Sequence, residues 1–192
     1  MWLTTEKTMN KADASGNLTY ETEKGFLGFS RAKVARDANG KKIGSRSARA
    51  TMKNAINDKN TVSVKQGDET GVPEGEPNTI QMNSEEIGDY MRNTSRDLNK
   101  TTSGFALTFL HELSHTLIGG NFEDPGMKVR FEPGDVEEKI NKIRKQLGPS
   151  YGQRLSYFFE GTNSGNRYVP FSQEALRELK KGNDPTSSYI KW

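Results

Sequence analysis

The chain has 192 residues, a length that suits one domain with a modest hydrophobic core. Hydrophobic residues make up 31% and charged residues 28% of the sequence, so we expect a small core and extensive loops. There is no cysteine, which excludes disulfide bonds, thiolate metal sites and a cysteine nucleophile. We therefore predict one irregular α+β domain that folds without covalent cross-links.

Charge and hydropathy limit the classes of partner. Lys and Arg exceed Asp and Glu by 28 to 25, and the basic residues are scattered rather than gathered into a stripe with interleaved aromatic residues. No nucleic-acid binding is therefore expected. The chain has no apolar run long enough to span a bilayer, and its first residues lack the pattern of a secretory signal. We predict a soluble chain without membrane insertion, either cytoplasmic or delivered as one domain of a longer secreted polypeptide.

Short strands and a hairpin are predicted before the first helix. Residues 17–23 and 26–36 alternate in a β-compatible pattern, and Asn39-Gly40 lies between two short β-compatible segments. Both positions of an Asn-Gly turn tolerate positive φ, so an antiparallel ribbon is expected there. Residues 45–56 predict a helix with one packed face, formed by Ala48, Met52 and Ile56.

Two strands and a short helix are predicted next. Residues 61–65 and 79–83 alternate like strands and are separated by a loop rich in Gly and Pro. A helix start is favoured at Ser84, because its hydroxyl can cap free amides and the two glutamates that follow meet the positive end of the helix dipole. This helix should run to about Arg92.

An apolar helix is predicted from Thr102 or Ser103 to Gly119-Gly120, where glycine can adopt the left-handed conformation that ends helices. The helix is apolar nearly all round, which indicates that it is buried. It carries the only two histidines of the chain, four positions apart.

Two more helices are predicted after a loop over residues 121–133. The first runs to about Leu147, with Asp135 and Glu138 as its capping box. The second spans residues 172–181, and the aromatic residues of the tail are expected to complete a core.

The segment His111-Glu112-Leu113-Ser114-His115 is an HExxH motif. Residues four apart on a helix lie on one face, so both imidazoles can reach one ion while the glutamate approaches the water on that ion. A buried helix does not normally place these groups together without compensation, which a metal would supply. The alternative is a pair of core histidines satisfied by other protein groups.

With uncharged residues around the motif, residues 108–117 resemble the active-site helix of zincin metallopeptidases. The resemblance implies that His111 and His115 bind zinc (Zn2+) and that Glu112 is the general base on the zinc-bound water. It also implies a zincin-like α+β fold, in which a small mixed or antiparallel sheet packs on the buried HExxH helix and further helices follow.

The zincin interpretation divides the single domain, residues 1–192, into two parts. Residues 61–192 are expected to form the catalytic core, and residues 1–60 an N-terminal extension of a β-hairpin and a helix. Zincins bind an extended peptide against a sheet edge beside the active-site helix. Residues 79–83 are our candidate for that edge, with a core strand as the alternative.

The motif supplies two protein ligands, whereas a catalytic zinc usually takes three. In thermolysin-like zincins a glutamate on a following helix completes the site, which makes Asp135, Glu137 and Glu138 candidates. On a helical wheel Glu138 points nearly opposite the apolar face, while Asp135 and Glu137 flank that face.

In metzincin-like zincins the helix ends at a glycine after the second histidine, and a residue of the returning chain meets the metal. Gly119-Gly120 followed by Glu123 and Asp124 resembles that arrangement. We predict Asp124 as the third ligand, ahead of Glu123 and Glu137. A plain turn at Asp124-Pro125 is the alternative.

A tyrosine often helps to hold the oxyanion in zincins. Tyr151, Tyr157 and Tyr168 lie downstream of the motif, and the sequence does not choose between them. Core packing with a satisfied hydroxyl is the commoner role for such residues.

Residues 134–148 and 153–157 resemble the tails of some C-terminal domains in bacterial Rhs-type polymorphic toxins. The resemblance implies a toxin or secretion-system effector, with an immunity or inhibitor protein as a partner. The leading prediction is a zinc-dependent endopeptidase that acts on a protein or peptide substrate. The alternatives are a non-catalytic metal-binding or interaction module on a zincin-like fold, and a basic nucleic-acid-binding domain.

Overall fold

The computed structural model describes residues 10–12, 18–20, 22–24, 30–40, 42–126 and 129–192. These residues form five α-helices and nine short strands, so the predicted α+β class is confirmed. Parts of the β-compatible segments predicted near the N-terminus, at residues 17, 21 and 26–29, lie outside the described residues. None of the described helices is long and apolar enough to cross a membrane.

Two antiparallel pairs of strands come first. Strand β1 (Asn10–Ala12) pairs with β2 (Leu18–Tyr20), and β3 (Thr22–Lys24) pairs with β4 (Ser30–Ala32). Strands β2 and β4 lie within the predicted β segments, and β3 extends one residue beyond the first of them.

A turn forms at the predicted position, with the Gly40 N–H donating to the Asp37 carbonyl at 3.0 Å. Gly40 has a φ of 76°, whereas the φ of Asn39 is not positive, so this is not the turn type expected from Asn-Gly. The turn is flanked by a single bridge between Arg36 and Lys42 among the described residues. The hairpin is therefore shorter than the expected ribbon.

Helix α1 (Arg46–Asn57) lies where it was predicted. The Ser45 hydroxyl caps it by accepting a hydrogen bond from the Ala48 N–H. The same hydroxyl donates to Gln146 Oε1 at 2.7 Å, which attaches α1 to helix α4 (Gly134–Leu147).

Strands β5 (Ser63–Gln66) and β6 (Thr79–Met82) pair in parallel. On its other edge, β6 is already occupied, because the N–H and C=O of Gln81 both bond to Gly71, at 2.8 and 3.1 Å. The expectation that residues 79–83 present a free edge to a peptide is therefore wrong at the centre of the strand.

Helix α2 (Ser84–Arg92) has the predicted bounds, but its cap is Asn83 rather than Ser84. The Asn83 side chain accepts hydrogen bonds from the N–H groups of Glu85 and Glu86. Asparagine and serine cap equally well, so the start of the helix is recognisable while the capping residue shifts by one.

Helix α3 (Phe105–His115) carries the histidines and is shorter than predicted. A 3-10 turn over Lys100–Ser103 precedes it. Its end lies at Thr116, which has an extended backbone and donates its hydroxyl to the Leu113 carbonyl at 2.7 Å. The predicted end at Gly119-Gly120 is therefore wrong.

The main core surrounds α3, which packs against β6, α2 and α4. The strand pair that contacts α3 is parallel, and the single bridge of Gly71 on the other edge of β6 is antiparallel. Strand β6 therefore pairs in both directions, which is compatible with the predicted mixed sheet. The buried apolar members of this core are Ile80, Met82, Ile87, Leu107, Phe109, Leu110, Leu113, Val136, Ile140 and Ile143.

Helix α4 begins without the predicted capping box. Its N-cap is Pro133, which makes no side-chain cap, and Gly134 follows at a φ of 70°. Asp135 and Glu138 are both exposed. The left-handed glycine turns the chain into the helix, so the start does not depend on an acidic cap.

Three antiparallel strands lie near the end of the chain: β7 (Glu160–Gly161), β8 (Arg167–Pro170) and β9 (Tyr189–Lys191). Helix α5 (Gln173–Lys180) contacts β8 and is capped by Ser172, where the sequence predicted its start. A second core beneath this sheet contains Leu98, Val169, Phe171 and Ile190.

Candidate metal centre

The two histidines of α3 lie side by side. The centroids of the His111 and His115 rings are 5.0 Å apart, as the four-residue spacing on one helical face requires. Their side chains are only 11% and 13% exposed. Both imidazoles therefore need partners within the protein.

His115 is oriented by the chain that returns from the end of α3. Its Nδ1 lies 2.7 Å from the Phe122 carbonyl oxygen, which fixes that nitrogen as the hydrogen-bond donor of the neutral ring. Only a residue without a side chain fits at Gly119, where a Cβ would lie 1.6 Å from the Leu113 carbonyl oxygen. The glycines thus let the chain double back, although they do not end the helix.

The returning chain brings Asp124 to the histidines. Its Oδ1 lies 3.1 Å from Nε2 of His115, and the Asp124 side chain is 46% exposed. One ligand atom from each of His111, His115 and Asp124 lies within 4.8 Å of the other two. Ligands at about 2.0–2.1 Å from a tetrahedral zinc are about 3.4 Å apart, so a small contraction would accommodate the ion.

The donor set fits a metal because one buried nitrogen is left without a hydrogen bond. Nε2 of His115 forms an ion-pair contact with Asp124 Oδ1, but it has no geometrically defined hydrogen bond among the described residues. A buried polar atom without a partner is costly unless something else engages it. Two imidazoles and a carboxylate form a common zinc ligand set.

Glu137 holds His111 rather than facing the open side of the site. Its Oε1 lies 3.0 Å from His111 Nδ1, and the residue is only 1% exposed. Arg144 and Arg154 contact the same carboxylate at 2.7 and 2.9 Å. Burial alone would raise the pKa of Glu137, but the two guanidinium groups and His111 hold it well below its usual range.

The Glu137 network reaches further into the fold. Arg144 donates from Nε to the Thr102 carbonyl and from Nη1 to Asn141, while Arg154 donates to the Tyr157 carbonyl. The orientation of His111 is thus tied to the start of the histidine helix and to the segment that follows α4.

Glu112 follows His111 on α3 and is 8% exposed. Burial raises the pKa of its carboxyl, and the charges of His111 and His115 oppose that rise. A carboxyl with a raised pKa is better matched to proton transfer near neutral pH than an ordinary surface carboxylate.

Among the three tyrosines considered from the sequence, Tyr157 lies at the site. Its ring stacks on His111 at a centroid distance of 6.0 Å. Burial and a hydrogen bond to Asp124 raise the pKa of Tyr157 above its usual value, so the phenol stays protonated. Tyr151 instead contacts Thr101, and Tyr168 donates to Asp184.

The remaining acidic candidates lie apart from the histidines. Glu123, Asp135 and Glu138 are exposed and do not belong to the converging group. From the sequence, Glu137 remained one candidate for the third ligand. One feature of the sequence favours its observed role as the partner of His111 and Arg144. Arg144 falls on the same buried face of α4, and a buried arginine requires a buried carboxylate.

Comparison of this chain with models of protein families, with curated proteins and with solved structures finds no match.

Proposed function

We propose that this chain is a zinc-dependent endopeptidase with a zincin-like active site. The observation that carries the proposal is the convergence of His111, His115 and Asp124, in which the buried Nε2 of His115 has no hydrogen bond among the described residues. Glu112, next to the first histidine, adds the acid–base group that peptide hydrolysis requires.

His111, His115 and Asp124 would hold the zinc. Nδ1 of each imidazole is engaged by Glu137 or by the Phe122 carbonyl, so each ring has its Nε2 available as a ligand atom. Bound zinc supplies a Lewis acid that polarises the scissile carbonyl and lowers the pKa of a water molecule to about 7.

Glu112 would take a proton from the attacking water and pass it to the leaving amine. Its raised pKa favours both transfers, because the carboxyl can accept a proton and release it within the same pH range. Tyr157 would donate a hydrogen bond to the developing oxyanion, since its phenol stays protonated and its hydroxyl lies beside Asp124.

Two features support a zincin-like arrangement. The HExxH helix is buried against strand β6, and α4 follows it and supplies Glu137 to His111.

The resemblance of residues 134–148 and 153–157 to the tails of Rhs-type toxin domains supports a role as a delivered effector, with an immunity or inhibitor protein as a partner.

The proposal is tested by Glu112→Gln, which is nearly isosteric and removes only the proton acceptor. Zinc-loaded wild-type protein is expected to cleave an unfolded protein substrate, and Glu112→Gln to bind zinc equally while losing cleavage. Cleavage by the variant at the wild-type rate would contradict the mechanism. Zinc binding without cleavage in either protein would favour the non-catalytic metal-binding module.

A further inference from the structure

Three aromatic side chains, one from α2 and two from the last part of the chain, form one cluster of rings. Tyr90 stacks on Phe159 at 5.9 Å and contacts Trp192 at 5.6 Å, and Phe159 lies 5.3 Å from Trp192. We call these three residues the aromatic platform. Trp192 is 55% exposed, and the other two rings are half-buried against the second core.

The platform lies close to the candidate metal centre. Phe159 is two residues from Tyr157, so their Cα atoms are at most about 7 Å apart, and Tyr157 stacks on His111. The charges of Glu112 and Arg154 both act on the pKa of Tyr90, after burial and a hydrogen bond to Glu86. Phe159 is thus close to Tyr157 along the chain, and Tyr90 is close enough to Glu112 for its charge to affect the Tyr90 pKa.

The exposed surface of the platform is apolar. The Tyr90 hydroxyl is used internally, since it donates to Glu86 Oε1 at 2.7 Å. The other oxygen of that carboxylate accepts from the Thr70 N–H at 3.2 Å. Both oxygens of Glu86 are thus engaged inside the protein, and the ring faces are the surface that the platform offers to an apolar group.

We propose that the aromatic platform is a substrate subsite that selects a large apolar side chain, aromatic above aliphatic, near the scissile bond. The inference rests on the proposed peptidase function. An extended peptide advances about 3.3 Å per residue, so a peptide that crosses the metal centre would bring a side chain a few positions from the cleaved bond to the platform.

The platform is tested with randomised synthetic peptides digested by zinc-loaded protein and analysed by mass spectrometry. The wild type is expected to enrich Phe, Tyr, Trp and Leu at one position within three residues of the cut. Trp192→Ala is expected to reduce that enrichment about threefold to tenfold, and Trp192→Phe to restore most of it. Trp192 is half exposed, so its replacement leaves the core intact.

Tyr189→Leu is the matched control, because it removes an aromatic ring that packs edge-on against Tyr168 instead of joining the platform. This variant should keep the wild-type preference. An unchanged preference in Trp192→Ala, or a wild-type preference for Lys or Arg, would overturn the platform while leaving the peptidase proposal intact.

A binding measurement tests the platform separately from cleavage. In zinc-loaded protein carrying Glu112→Gln and Trp2→Phe, Trp192 is the only tryptophan. Its fluorescence should change with a Phe-containing peptide and not with the same peptide carrying Ala or Lys. An equal response to all three peptides would overturn the subsite, whether or not the wild type cleaves.

Discussion

Nδ1 of His111 lies 3.0 Å from the carboxylate of Glu137, which is held in turn by Arg144 and Arg154. The contact fixes both the tautomer and the direction of the imidazole, and such outer contacts commonly decide how well a metal binds. It also makes the metal centre dependent on a buried charge network that the rest of the fold must keep closed.

Glu137→Gln should weaken both the metal site and the fold. Zinc affinity is expected to fall about 10–100-fold because His111 loses its charged acceptor. The free energy of unfolding should fall by about 3–5 kcal/mol, because Arg144 stays buried without its partner. Calorimetric zinc titration and denaturant unfolding measure the two effects. Glu138→Gln changes an exposed neighbour and should alter neither; equal losses in both variants would contradict the role of Glu137.

Zinc affinity should rise with pH. Burial alone would lower the pKa of His115, but the neighbouring Asp124 and the Phe122 carbonyl outweigh it and raise the pKa to about 9. The metal must displace that proton, so affinity should fall by about tenfold per unit as pH decreases below 9. In Asp124→Asn the carboxylate that raises the pKa is gone, so the onset of this fall should move to lower pH. Affinity that does not vary between pH 6 and 9 would argue against binding through His115.

Tyr157→Phe should slow cleavage without emptying the metal site. The loss of one oxyanion donor typically lowers kcat by about 10²–10³-fold. Because Asp124 keeps its carboxylate, zinc binding should change much less than kcat. Tyr151→Phe, which removes a hydroxyl beside Thr101, serves as the control and should retain wild-type kcat. A wild-type kcat in Tyr157→Phe would assign the oxyanion contact to another group.

Gly119→Ala should disrupt the return of the chain to the site. The added Cβ would lie 1.6 Å from the Leu113 carbonyl, so the turn must open and Asp124 must move away from His115. We expect a lower melting temperature and weaker zinc binding. Gly126→Ala, at a position with nothing within 4 Å of the added Cβ, should behave like the wild type. Tight zinc binding in Gly119→Ala would show that the turn does not position the site.

The sequence was most informative where local pattern decides structure. The spacing of His111 and His115 on an apolar segment predicted a buried helix with both rings on one face, because helical periodicity alone sets that geometry. The end of the same helix was missed, since Thr116 leaves the helical path by bonding to Leu113 before the glycines are reached.

Contacts between distant segments could not be predicted in the same way. Gly71 covers the outer edge of β6 through a pairing that no alternation pattern reveals. The role of Glu137 could not be decided from the sequence, because a helical wheel shows which face of α4 is apolar. It does not show which distant cation pairs with a carboxylate beside that face. Arg154, which lies beyond the end of α4, supplies one of those cations only once the chain has folded back.

The most direct test is a titration of zinc into chelator-treated protein at pH 7.5, with wild type and Asp124→Ala compared by calorimetry. The account predicts one equivalent of tightly bound zinc in the wild type and markedly weaker binding in the variant, because one of three protein ligands is missing. Absence of stoichiometric zinc binding in the folded wild type would contradict the metal centre itself. Equally tight binding in Asp124→Ala would remove Asp124 from the ligand set.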